Sequence, residues 1–527
     1  MKGRIPAILV VLAIIVVTLG YFLFRENDPN SATRHERLGK KEIETLAVGF
    51  AGLGDLNTLD PARSTTTIPI FFSWIMYDRL VDVTSEGKVV PMLASSWRST
   101  EDFKEWRFQI RTDISFNGTG KKMEARDVAS SIERALRTPG LGPSLLSDLV
   151  EGATEALENK SSIPGISVEK NEVVFRLTRP FAMLPERLAA PCFGVVLTDK
   201  ENESDGSLFG TGPYSLVNWD RSRQTVILKK EKYWGDTTVA APQVLDIRIF
   251  TAEAPAVEEL RAGTLDWLET TSSALPLVGK QPPKGLRVDA PPSTEIRLVA
   301  LNMEQPPFSS TPGIGHALNL ATDRMALIKA LGGGQVISSP VPSRLATVTE
   351  CALDFDQEHS KIELSKIGPL PKFEMIVQPG ESNRTIAELL RSQWASVGVE
   401  VTLKPGLADF FDRVIKGNYE MALGYFGPLV PTVEQYLWPY RSSAQPVPNV
   451  MRYSSTVFDK KLREYTGSGE AGDRKLAIQK ALAVVCTDSP AVWLFRPSWT
   501  AVVRDSLQVP RTSAALPLFH RLTIKEN

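Results

Sequence analysis

The side chains in this sequence that could do chemistry are few and scattered. Its four histidines, His35, His316, His359 and His520, include no HExxH pair, so no helix face offers two zinc ligands. The three cysteines, Cys192, Cys351 and Cys486, lie far apart without any C-x-x-C spacing; they read as small buried apolar groups, with one bridged pair open in an oxidising compartment. No G-x-x-x-x-G-K-[ST] or G-x-S-x-G string occurs. Gly332 to Gly334 follow a helical run instead of opening one, so they read as a helix cap and not a phosphate cradle. Paired acids such as Glu258 and Glu259, or Asp102 and Glu105, read as solvated faces, leaving a hydrolase with two distant carboxylates as the catalytic alternative. Binding without metal or cofactor is the stronger reading. Its candidate groups are the hydroxyls of Thr65 to Thr67 and the rings of Tyr425, Phe426, Tyr436, Trp438 and Tyr440. A hydroxyl row caps the helix that follows it or faces a ligand; the rings suit stacking on a ligand and core packing equally.

The elements that would position these groups are α/β in pattern. With 527 residues, 43% hydrophobic and 23% charged, the chain supports two or three globular domains. Its 60 basic and 61 acidic residues leave a net charge of -1, which removes the bulk field a nucleic-acid partner would need. Lys2 and Arg4 precede Ile5 to Phe24, an uncharged run of about 20 residues, long enough as a helix to cross roughly 30 Å of hydrocarbon. No A-x-A-like site and no nearby cysteine follow it, so residues 1–26 read as an uncleaved signal anchor, with an atypically cleaved long signal peptide as the alternative. The polar stretch 27–43 reads as a tether.

Leu46 to Phe50 reads as a first strand, and Ile68 to Leu80 as a helix. Trp106 to Gly120 alternates as two strands, and Met123 to Leu136 has helical spacing. Phe209 to Gly235 is a hairpin entered through Gly210, Gly212 and Pro213, with strands on either side of Asp220 to Gln224.

In this order the segments resemble the family 5 bacterial extracellular solute-binding proteins of ABC importers. The resemblance rests on Leu59-Asp60-Pro61; Tyr77, Leu80 and Val81; Val90-Pro91, Leu93-Ala94 and Trp97; Trp106, Phe108, Ile110, Arg111, Phe116 and Gly118; and Ala125, Asp127, Val128, Ser131 and Arg134. Tyr233-Trp234-Gly235 and Leu260 to Asp266 extend it. So, more loosely, do Pro307-Phe308 with Ala317, Leu318, Asp323 and Arg324, then Leu389 to Val399, Asn418 to Phe426 and Pro490 to Phe495.

The resemblance implies a type II periplasmic-binding-protein fold: two mixed-sheet lobes around a hinge. Residues 44–80, 206–300 and 490–527 would form lobe I, 81–205 an extra small domain, and 301–489 lobe II. It implies an extracytoplasmic monomer that captures a small solute, peptide among the candidates, and passes it to ABC permease subunits. The anchor would hold it at the inner membrane; a tethered sensor or assembly factor is the alternative on the same fold. By the same resemblance Thr66, Thr67, Tyr425, Phe426, Gly427 and Trp493 would bind ligand, with Trp493 and Tyr425 as opposing walls. The sequence departs from the family's peptide binders where they carry W-x-A-D-Y-x-D-P, whose aspartate meets the ligand's α-ammonium. Gly427 to Pro431 supply no carboxylate, so a free amino terminus needs an acid from elsewhere, such as Glu434 or Asp409.

Overall fold

The computed structural model describes residues 43–525 apart from 160, 199–207, 272–274, 280–281, 292, 346–350, 352 and 407. The expected anchor, and all of the tether except Ile43, lie outside the described residues. Among the described residues no helix is long and apolar enough to cross a membrane.

Three sheets organise the chain. The first runs, edge to edge, Leu286–Asp289, Thr500–Arg504, Trp267–Thr270, Thr45–Ala51, Val244–Phe250, Thr225–Lys230 and Tyr214–Asp220. Thr45–Ala51 pairs in parallel with both neighbours and is buried along nearly its whole length, as a strand covered on both faces must be. The glycine-entered hairpin forms its far edge, Tyr214–Asp220 antiparallel to Thr225–Lys230. The glycines are sterically required there, since a β-carbon on Gly210 would lie 2.2 Å from the Met76 carbonyl oxygen.

The second sheet runs Gln335–Val336, Ala491–Arg496, Ile296–Leu301, Met421–Phe426, Phe373–Val377 and Val401–Pro405, with parallel pairing only among the last three. A small antiparallel sheet, Ala94–Ser99, Glu105–Ile110, Glu172–Arg176 and Ile166–Glu169, belongs to the segment between Thr45–Ala51 and Tyr214–Asp220, two strands of the first sheet. There Trp106, Phe108 and Ile110 alternate inward.

The strings that carry the family resemblance are hydrogen-bonded to one another across these units. Arg134, on the helix Ala125–Arg137, donates to Asp60 Oδ1 at 2.9 Å, while Asp127 caps the same helix by accepting from the Glu124 amide at 2.8 Å. Tyr233 Oη and Trp234 Nε1 both donate to the buried Asp78, at 2.9 and 2.7 Å, and clamp the end of the helix Thr67–Met76. Asp323 caps the helix Arg324–Leu331, and buried Arg324 donates to the Trp493 carbonyl at 2.9 Å.

The chain passes between the two large sheets twice, between Asp289 and Ile296 and again between Arg496 and Thr500. The crossings are hydrogen-bonded to each other: the Ser293 amide donates to the Pro497 carbonyl and the Trp499 amide to the Pro291 carbonyl, each at 2.9 Å. The second crossing differs from the expected boundary before residue 490. Ala491–Arg496 is buried throughout and pairs with Ile296–Leu301, so it belongs to the second sheet; Ile296–Leu301 likewise lies beyond the first. A strand that is apolar up to its last residue, Arg496, carries no local mark of which sheet it completes.

Cys351 and Cys486 are bridged, with Cα atoms 5.1 Å apart, and Cys192 is a buried free thiol. The pairing left open by the sequence is thus Cys351 with Cys486, over a separation of 135 residues.

Candidate functional site: a cleft between the two large sheets

A cavity of about 240 Å³ opens where residues from the ends of the two large sheets meet Leu141 and Ser144. It lies just below the roughly 300–1,000 Å³ range of small-molecule sites. One side is the mouth of the helix Thr67–Met76, with Thr65, Thr66 and Thr67; the other is the end of Met421–Phe426 and its loop, Tyr425 to Leu429. Between them stand Thr294 and Glu295 from the first crossing, Trp499 from the second, and Gln435 and Trp438 from the helix Val433–Leu437 and the turn after it.

The structure therefore brings Thr66, Thr67, Tyr425, Phe426 and Gly427 to one cavity. Thr66 occupies the N-cap position without making a side-chain capping bond, so its hydroxyl is not spent on the helix. Trp493 is placed elsewhere. It is fully buried in Ala491–Arg496, does not line this cavity, and donates from Nε1 to Tyr440 Oη at 2.8 Å. It does not face Tyr425 across the cleft, because the strand's burial on both faces turns the indole into the core.

The acids singled out as replacements for the missing aspartate are both committed. Glu434 is fully buried and accepts from Arg187 Nη2 at 2.6 Å, a contact between segments 247 positions apart. Burial pushes its carboxyl up, but the Arg187 charge and hydrogen bond outweigh that and hold it below its ordinary range. Asp409 is exposed and pairs with Arg413 one helical turn away at 2.9 Å.

The carboxylate that does reach the cavity is Glu295, which the sequence reading missed. Burial pushes its carboxyl above the ordinary range, opposed by the nearby Arg297. Arg297 is itself held by Asn383 Oδ1 at 3.0 Å and lies 5.0 Å over the Tyr425 ring. Two further lining residues carry buried polar atoms without hydrogen-bond partners: Gln435 Oε1, an acceptor, and Trp499 Nε1, a donor. Buried polar groups are ordinarily paired, so a site edged by an unpaired acceptor, an unpaired donor and a carboxylate is chemically prepared for a polar ligand. The only sequence signal for Glu295 and Trp499 is position: each lies beside an apolar strand at a crossing.

Among the described residues no group of three or more His, Cys, Asp or Glu is arranged to hold a metal ion.

Comparison with known proteins agrees with this architecture. The chain is 26% identical over 493 residues to the probable D,D-dipeptide-binding periplasmic protein DdpA of Escherichia coli, covering 88% of this chain and 91% of that protein. It is 23% identical over 517 residues to the peptide transport periplasmic protein SapA of Salmonella typhimurium, covering 91% of each. Its fold matches that of the periplasmic binding protein DppA from Helicobacter pylori in complex with the peptide STSA, with a TM-score of 0.74 at 20% identity over 93% of this chain and 99% of that one. The family model for bacterial extracellular solute-binding proteins, family 5 Middle, matches residues 88–446, and the chain belongs to that family.

Proposed function

We propose that this protein is the extracytoplasmic substrate-binding component of an ABC-type importer, and that it captures a peptide or peptide-like solute carrying a free ammonium group. The observation that carries this reading is Glu295 in the lining of the cleft, together with unpartnered Gln435 Oε1 and Trp499 Nε1 from the same lining. An ammonium group donates to carboxylate and amide oxygens, and the indole N–H donates to a ligand carbonyl; together these are the complement of a peptide's first residue. The names of the relatives, which include dipeptide and peptide binders, point the same way. In this reading Glu295 replaces the aspartate absent from Gly427 to Pro431. Closure hinges on the paired crossings at Ser293 and Pro497, ligand contacts to both sides stabilise the closed form, and a membrane permease reads that form. Retention at the inner membrane by Ile5 to Phe24, and a monomeric state, belong to the same proposal.

A thermal-shift titration of the soluble part, beginning near Lys41, tests it with tripeptides and their amino-acetylated versions. A ligand at 100 times its Kd stabilises by about 2.7 kcal/mol, a shift of a few degrees. Free peptides are expected to raise the melting temperature and acetylated ones are not. Equal shifts for both, or none for either at millimolar concentration, overturn the reading. Membrane fractionation with an alkaline carbonate wash of the full chain tests the anchor.

A further inference from the structure

Away from the cleft, and sharing no lining residue with it, a polar cavity of about 270 Å³ is walled by residues 148–181 on one side and 434–466 on the other. Its charges are unevenly paired. Arg179 donates to Asp148 Oδ2 at 2.9 Å, Arg441 reaches the same oxygen at 3.5 Å, and Arg187, outside the lining, lies 3.9 Å from Asp148 Oδ1. Arg187 is otherwise spent on Glu434 and lies 4.5 Å over the Phe181 ring. One half-exposed carboxylate thus serves three guanidiniums; it has lone pairs for about four hydrogen bonds, while each guanidinium brings five N–H donors. The remaining acid of the lining, Asp459, accepts from the Ser442 amide at 3.2 Å and pairs with no arginine among the described residues. Arg463, also in the lining, has neither an ion pair nor a side-chain hydrogen bond among them. Arg441 is the most exacting of these groups. Its side chain is only 16% exposed, Asp148 is its one ion-pair partner among the described residues, and burial together with the Arg187 charge holds it below the ordinary guanidinium range. Buried donors are ordinarily paired and buried cations ordinarily neutralised, yet here the acids leave one guanidinium in excess.

We propose that this cavity is an anion site, taking inorganic phosphate or the phosphoryl group of a small monoester between Arg179, Arg441 and Arg463. The donor set favours a tetrahedral oxyanion, whose oxygens accept from several guanidiniums at once and match the planar fork of each. Ser443 and Thr466 add hydroxyls to the same lining. An ion held there touches both segments of chain and stabilises the folded protein by mass action. Nothing in this site depends on what the cleft binds.

The test is calorimetric titration of the full chain in detergent, in a phosphate-free buffer at fixed ionic strength, with inorganic phosphate, glycerol 3-phosphate and sodium chloride. It is run on the wild type and on Arg463→Gln, Arg441→Gln and Lys480→Gln. Arg463 is exposed, so Arg463→Gln keeps the fold, which a native circular-dichroism spectrum checks. Phosphate is expected to bind saturably, with Arg463→Gln and Arg441→Gln each weakening it about 10- to 100-fold, the loss of a charge-assisted hydrogen bond. Lys480 lines a larger neighbouring cavity that Arg179 and Arg463 also line, and Lys480→Gln is expected to bind as the wild type does. Tighter binding of glycerol 3-phosphate than of phosphate makes a monoester the ligand, and equal or weaker binding makes it the free ion. Heat that chloride reproduces, no saturable binding at millimolar phosphate, binding that survives both arginine variants, or an equal loss in Lys480→Gln overturns the site.

Discussion

Glu295 packs against Gly427 so closely that a β-carbon at position 427 would lie 3.1 Å from Glu295 Cγ. Gly427, which carries no side chain, leaves that space to Glu295 from the first crossing between the sheets. Glu295→Gln should weaken binding of free-amino tripeptides by about 2–5 kcal/mol, the cost of leaving a buried charge unpaired, and leave acetylated peptides unaffected. Because burial holds the Glu295 carboxyl above its ordinary range, the unliganded variant should also melt higher than the wild type at neutral pH. Titration calorimetry and melting of the same samples check both; a variant that binds normally removes Glu295 from the site.

Trp493 separates packing from recognition. Buried and tied to Tyr440 Oη, it should cost about 3–5 kcal/mol of stability when replaced by alanine. Trp493→Phe should lose mainly the hydrogen bond, about 1 kcal/mol, and keep tripeptide affinity within about twofold. Urea unfolding and calorimetry distinguish the two effects, and a selective loss of affinity in Trp493→Phe would return the indole to the cleft.

Glu186 adjoins the Arg187–Glu434 pair, with its Oε2 buried and lacking a hydrogen-bond partner. Burial pushes its pKa up to about 8, opposed by a hydrogen bond from Thr432 and reinforced by the Glu434 charge. The unfolded chain releases this proton near 4.5 and the folded one near 8. Stability from this group is therefore complete below the ordinary carboxyl range and is lost as pH rises to about 8. Glu186→Gln should match the wild type at pH 4, gain on it by about 1.4 kcal/mol per pH unit through that window, and level off above it. Parallel melting curves from pH 5 to 8 would show that the carboxyl is solvated.

The Cys351–Cys486 bridge spans a sequence separation of 135, so Cys351→Ser with Cys486→Ser should cost about 5 kcal/mol in the chain-entropy account. Burial pushes the Cys192 thiol up and keeps it protonated. Thiol titration of the oxidised protein should find no reactive group in the native state and a single one in denaturant. A native-state thiol would contradict the bridge or the burial of Cys192.

Much of the fold was legible because it is written locally. The glycine-entered hairpin, the capped helix at Asp127, and the alternation of Trp106, Phe108 and Ile110 are short-range patterns that period and turn chemistry specify. The family strings are legible for a further reason. Asp60 and Arg134, or Asp78 with Tyr233 and Trp234, are partners in single hydrogen-bonded units, so a change in one member removes a hydrogen bond from the other.

The sequence by itself determined the α/β alternation and the family, and through that resemblance pointed to Thr66, Thr67 and Tyr425 to Gly427, which the structure gathers at one cavity. Only tertiary structure decided which sheet the apolar strand Ala491–Arg496 completes, which cysteines meet, and that Glu434 is spent on Arg187 across 247 positions of chain. It also decided that Glu295 is the carboxylate left for the cleft. The physical reason is common to all of these. A carboxylate carries the same letter whether it faces water, a buried arginine or a ligand; its role is set by the desolvation and partners that distant segments impose when they pack around it.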